Sequence, residues 1–156
     1  MLGGLFNKTP GLAQHAAVVE KIIRGVGLDP NEHRMKSDEP GRFSWVLQRG
    51  SATIVVGISG DAKTGEGWFH LSAPLVFLPE ENLLAFYRRL LDLNGEIMGV
   101  ALAAKGDCIS LCAERPLKGM DANEAEELLM RLSGYADGLD DLLNKEFGAP
   151  MWRPDR

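Results

Sequence analysis

The sequence predicts an α+β domain on a five-stranded antiparallel sheet, with elements in the order α-β-β-β-α-β-β-α. Three observations lead there. Apolar residues recur with a helical period in three long segments and with a period of two in five shorter ones. The short segments form two groups, each joined by glycine-bearing turns and separated by a helix. A chain of 156 residues that is 45% hydrophobic can bury one core but not two comfortable ones. Residues 1–148 are therefore expected to form a single domain, with 149–156 as a C-terminal tail.

In chain order, Thr9 and Pro10 read as an N-cap and first helical residue. After them Leu12, Ala16, Val19, Ile22, Ile23 and Val26 share one side of a helix that Gly25 and Gly27 end. The polar segment 29–42, with two prolines, reads as a surface connection. Phe43, Trp45 and Leu47 alternate in a first strand. A turn at Gly50-Ser51 leads to a second strand with Ala52, Ile54, Val56 and Ile58 on one face. The third strand is GWFHLSAPLVF, where Pro74 predicts an edge position or a bend near its end. In LPEENLLAFYRRLLDLNGEI, Pro79 marks a helix start, Glu80 and Glu81 meet the positive end of the dipole, and Asn94-Gly95 supplies the stop. GVALAA and CISLCAE form a hairpin turning at Lys105-Gly106-Asp107. Asp121 and Glu124 then make a capping box for a last helix, with Ala125, Leu128, Leu129, Leu132, Ala136, Leu139, Leu143 and Phe147 on its core face.

Chemistry-bearing patterns read as structural. Cys108 and Cys112 lie four apart on a strand, about 13 Å, beyond the ~7 Å Cα limit of a disulfide and too far to share one metal ion. They are expected to be unpaired, reactive and metal-free. Gly60 and Gly65 have the outer spacing of a phosphate-binding loop, but Glu66 and Gly67 stand where Lys and Ser/Thr are required. His15, His33 and His70 are far apart and read as solvated or rim residues. The pairs Glu80-Glu81, Glu126-Glu127 and Asp140-Asp141 lie on predicted helices, where adjacent side chains diverge by roughly 100°, and read as solvated faces. Gly134 and Gly138 suggest close packing of the last helix on the sheet. Trp152 is expected to fold back onto its own domain. No catalytic, cofactor or metal site is expected.

A net charge of −5, with basic residues scattered, disfavours nucleic acid as a partner. The N-terminal stretch lacks the apolar core of a signal peptide and no run of eighteen apolar residues occurs, so a cytoplasmic protein with no membrane partner is expected.

The block APLVFLPEENLLAFYRRLLDLNGEIMGVALAAKGDCISLCAERPL combines an apolar helix ending in LDLN, a glycine-led strand, a glycine turn and a second strand, and a capped terminal helix follows it. It resembles the type III secretion chaperone fold, both the CesT/Tir chaperone family and the YbjN-like group, with YbjN-like the closer. The likeness covers roughly residues 43–148. It implies a small acidic homodimer that binds a segment of a client protein through apolar surfaces and has no enzymatic activity. The alternative is an adaptor or structural domain in a signalling or stress pathway that only self-associates.

The second long helix sharpens that expectation. Its apolar positions from Leu83 to Leu93 cover roughly half the circumference, against a narrower face on the last helix. One flank should stay uncovered after packing, and uncovered apolar flanks mark association surfaces. Leu84, Tyr87 and Leu91 form one edge, Phe86 and Leu93 the other, with Leu90 between them. The wheel alone does not choose between the edges.

Overall fold

The period-two segments pair into one antiparallel sheet of order β1-β2-β3-β5-β4, formed by β1 (Arg42–Arg49), β2 (Ala52–Gly60), β3 (Gly67–Phe77), β4 (Ala101–Lys105) and β5 (Cys108–Pro116). The computed structural model describes residues 11–155. Gly50 and Gly106, both at positive φ, make the two tight turns at a conformation that costs glycine little. The inward rows hold Trp45 and Leu47, then Ile54, Val56 and Ile58, then Phe69, Leu71 and Ala73, and then Ile109, Leu111 and Ala113, all buried. Helix α1 (Leu12–Gly25) and helix α4 (Ala122–Phe147) cover this face, with α4 lying mainly along β3.

Helix α4 starts at the capping box Asp121/Glu124 and ends at Gly148, whose left-handed φ of 64° suits a residue without a Cβ. Gly134 and Gly138 face outward, and nothing stands within 4 Å of where a Cβ would lie on either. They are not a close-packing seam, because Leu132, Ala136 and Leu139 carry the contact with the core.

Four helices are present among the described residues, one more than the periodicity predicts. The addition is α2 (Pro30–His33), a single turn too short to show a period, capped by Asp29, whose carboxylate accepts from Asn31 N–H at 2.9 Å. Thr9 and Pro10 lie outside the described residues, and the N-cap position of α1 is Gly11. Val26 falls at the C-cap of α1, where the stripe has turned away from the core, and is exposed.

Two further differences concern β3 and the helix that follows it. β3 lies in the middle of the sheet; Pro74 is accommodated by a register shift between Pro74 and Val76, so the bend is present and the edge position is not. Helix α3 (Leu83–Glu96) begins three residues later than Glu80, after Asn82 in a left-handed conformation that interrupts the helical path. Glu80 and Glu81 therefore lie ahead of the first turn. The helix also runs through Asn94-Gly95. The Asn94 side chain turns to β4, where its Oδ1 accepts from Leu102 N–H at 2.7 Å and its Nδ2 donates to Leu102 C=O at 3.2 Å.

The last residues dock on the sheet. Pairing of β2 with β3 reaches Ser72; beyond it, Phe77 N–H donates to Pro150 C=O (2.7 Å) and Trp152 N–H to Leu75 C=O (3.0 Å). Ala149 is fully buried.

Candidate functional site

Helix α3 sits against α4 through Phe86, whose ring meets Phe147 edge-on at 5.2 Å, and through Arg89, whose Nε donates to Glu146 at 3.0 Å. This seating divides the five residues of the predicted interface. Phe86 and Leu93 are in the core, at 0% and 4% exposure, together with Leu90. Leu84 and Leu91 are 86% and 68% exposed, with Tyr87 between them at 39%. Leu83 and Met98 are also exposed beside this flank. Spacings of three and four put Leu84, Tyr87 and Leu91 in one row along the helix. Phe86 and Leu93 are thus assigned to the monomer's own core, and one apolar flank of α3 faces outward.

The face of the sheet away from α1 and α4 carries a polar group at its centre, with Ser59, His70, Ser72 and Glu114 beside exposed Trp68. Here register joins residues that are remote in sequence. Ser59 on β2, His70 on β3 and Glu114 on β5 form a chain, with Ser59 Oγ 2.7 Å from His70 Nε2 and His70 Nδ1 3.2 Å from Glu114 Oε1. With the proton on Nδ1, the serine hydroxyl donates to the imidazole and the imidazole to the carboxylate. The order is that of a nucleophile, base and orienting acid. Two features of its surroundings differ from those of a hydrolytic triad. The amide after the serine, Gly60 N–H, donates to Gly41 C=O at 2.9 Å, so it is not available to an oxyanion. The Glu114 side chain is 61% exposed, in water that screens it. The relay is a polar clip across three strands. Sequence reading missed it because only the β2–β3–β5 register brings it together.

The other singled-out residues fall as follows. Cys108 and Cys112 are free and half-buried on one strand, and burial pushes both thiols up, which disfavours the thiolate at neutral pH. His33 holds the outer edge of β1, its Nδ1 3.0 Å from Val46 C=O. His15 is buried at 5% exposure, not at a rim, since it shares the α1 stripe with Leu12, Val19 and Ile22. Asp140 likewise falls on the inner stripe of α4 between Ala136 and Leu143. It is 7% exposed, its carboxylate accepts from Asp141 N–H at 2.8 Å, and burial raises its pKa. Among the described residues no group of three or more His, Cys, Asp or Glu could hold a metal ion. No helix among them is long and apolar enough to cross a membrane.

No protein-family model matches the chain, and no curated protein matches it. Solved structures do. A chain of the ExsC–ExsE complex superposes with a TM-score of 0.59 at 17% identity, over 85% of this chain and 95% of that one. A chain of the heterodimeric ExoU–SpcU complex, from the type III secretion system of Pseudomonas aeruginosa, superposes with a TM-score of 0.57 at 21% identity, over 81% and 98%. The fold is type III secretion chaperone-like. YbjN, a putative transcription regulator from E. coli, matches with a TM-score of 0.53 at 11% identity, over 92% of this chain and 96% of its own. Type III secretion chaperone complexes and YbjN therefore share this architecture, and identities this low establish the fold alone.

Proposed function

We propose that the chain is a non-enzymatic protein-binding module, a chaperone-like or regulatory homodimer that acts in the cytoplasm and holds a segment of a client protein through apolar surfaces. The observation that carries the reading is the outward row Leu84, Tyr87 and Leu91 on a helix whose other side is fully used by the core. Two leucines 86% and 68% exposed on one helix flank cost solubility and contribute nothing to the monomer's packing. A second copy laying the same flank against this one buries both, in the self-complementary manner of a two-fold contact. Neighbours of the same fold solved as complexes of two proteins support the client-binding part.

Light scattering of the purified chain tests the dimer, and co-elution of a stoichiometric second protein at moderate salt tests client binding. A complex held by apolar contacts survives added salt, whereas one held by phosphate contacts weakens by orders of magnitude. A dimer that never co-elutes with another protein would favour the self-associating adaptor. A monomer at tens of micromolar removes the α3 interface.

A further inference from the structure

His15 is a buried polar group whose imidazole has no hydrogen-bond partner among the described residues. Leaving such a group unsatisfied is costly, so its surroundings bear on what it meets. It lines a cavity of about 720 Å³ between the start of α1, the β2–β3 loop and the turn before α4, together with Lys63, Glu66, Lys118 and Met120. The one fully enclosed side-chain nitrogen or oxygen lacking a partner among the described residues is Trp45 Nε1, so the His15 ring nitrogens are not sealed in the core. Among the described residues the lining holds two lysines and one glutamate, an excess of positive charge on a chain whose net charge is −5.

The same loop shows which anion fits. A phosphate cradle needs free backbone amides, and those of the four loop residues that line the cavity are taken. Asp61 Oδ1 accepts from Lys63 N–H and Thr64 N–H, both at 2.8 Å; Gly65 N–H donates to Asp61 C=O at 2.9 Å, and Glu66 N–H to Thr64 Oγ1 at 3.3 Å. Besides the turn amides of Lys118 and Gly119, what remains is side-chain recognition by two ammonium groups and one imidazole N–H, beside the apolar surface of Met120. That set suits a carboxylate carried on an otherwise apolar segment.

We propose that this cavity receives an acidic side chain, Asp or Glu, from an extended segment of a bound protein, with His15 donating to the carboxylate and Lys63 and Lys118 pairing with it. The proposal rests on the protein-binding reading above and adds a chemical class to the client. It carries its own signature. Burial holds the free imidazole neutral by pushing its pKa down. Burial is the one cause of that shift, and the charged side chains lining the same cavity among the described residues are Lys63, Lys118 and Glu66. An incoming carboxylate adds a second negative charge, so binding draws a proton onto His15 and tightens as pH falls.

The test follows the His15 imidazole by NMR while a blocked hexapeptide of alternating leucine and glutamate is added, with the glutamine counterpart and inorganic phosphate as comparisons. The acidic peptide should raise the His15 titration midpoint and bind more tightly at pH 6 than at pH 7.5. The glutamine peptide and phosphate should do neither. His15→Gln should keep binding but lose the pH dependence, and Lys63→Gln and Lys118→Gln should each weaken binding up to about fivefold, with folding checked by circular dichroism. Equal effects of the two peptides, or a matching response to phosphate, would overturn the proposal. So would a double lysine variant that holds its co-eluting partner at unchanged affinity, a result that leaves the protein-binding reading standing.

Discussion

Helices α3 and α4 have similar raw material and different fates. In α4 the large apolar residues turn inward, with only Met130 exposed, and the outer side carries charge and glycine. In α3 the inward row Phe86, Leu90 and Leu93 fills the core, and a second apolar row, Leu84, Tyr87 and Leu91, is left in the open. The fold needs one row of each helix. The extra row on α3 is left uncovered by the monomer, and the proposed interface rests on that surplus.

The contrast can be broken most forcefully at Phe86. Phe86→Ala removes a fully buried ring seated on Phe147 and should lower unfolding stability by about 3–5 kcal/mol. Leu84→Ala, in dilute protein, should change it by about 0.5 kcal/mol or less. Urea denaturation of both variants measures this, and similar losses would mean that the two rows are not distinct. A smaller effect is expected at Asn94, which ties α3 to the outer edge of β4. Asn94→Ala leaves both Leu102 backbone groups without their partner and should cost about 1–3 kcal/mol, with hydrogen exchange at Leu102 N–H accelerating more than in the middle of β3.

The mildest expected effect is one of pH, and it lies on α1. The folded pKa of His15 is lowered from 6.5 by burial, so as pH falls the unfolded chain takes up this proton first. Stability contributed by the neutral imidazole is therefore present above about 6.5 and declines below it. Urea midpoints at pH 7.5 and 5.5 should differ more for the wild type than for His15→Gln, and equal differences would contradict the burial.

Most of the fold is legible in the sequence because it rests on period and punctuation. The alternation of Ile54, Val56 and Ile58, the glycine turns at 50 and 106, and the Asp121/Glu124 box each have one local reading, and the structure shows it. What is not legible depends on contacts between distant segments. Asn94 reads as a stop because nothing local reveals that Leu102 will meet its amide. Ser59, His70 and Glu114 come together only through strand register. The α3 flank was half legible: the surplus of apolar positions shows on a helical wheel, but only the docking of α3 on Phe147 decides which edge it buries. His15 and Asp140 were misjudged for a different reason. Both sit at stripe positions, where place on the helix outweighs polarity in deciding burial.

The central claim is that the outer row of α3 holds two copies of the chain together. Its most direct test compares Leu91→Glu with Leu93→Glu, two residues apart on one helix, by light scattering and circular dichroism. The wild type should have twice the 17.0 kDa mass of one chain. Leu91→Glu should give a folded monomer, since a charge forced into a desolvated contact costs several kcal/mol. Leu93→Glu should unfold. A wild type that is already monomeric at tens of micromolar, or a Leu91→Glu protein that remains dimeric, would contradict the account.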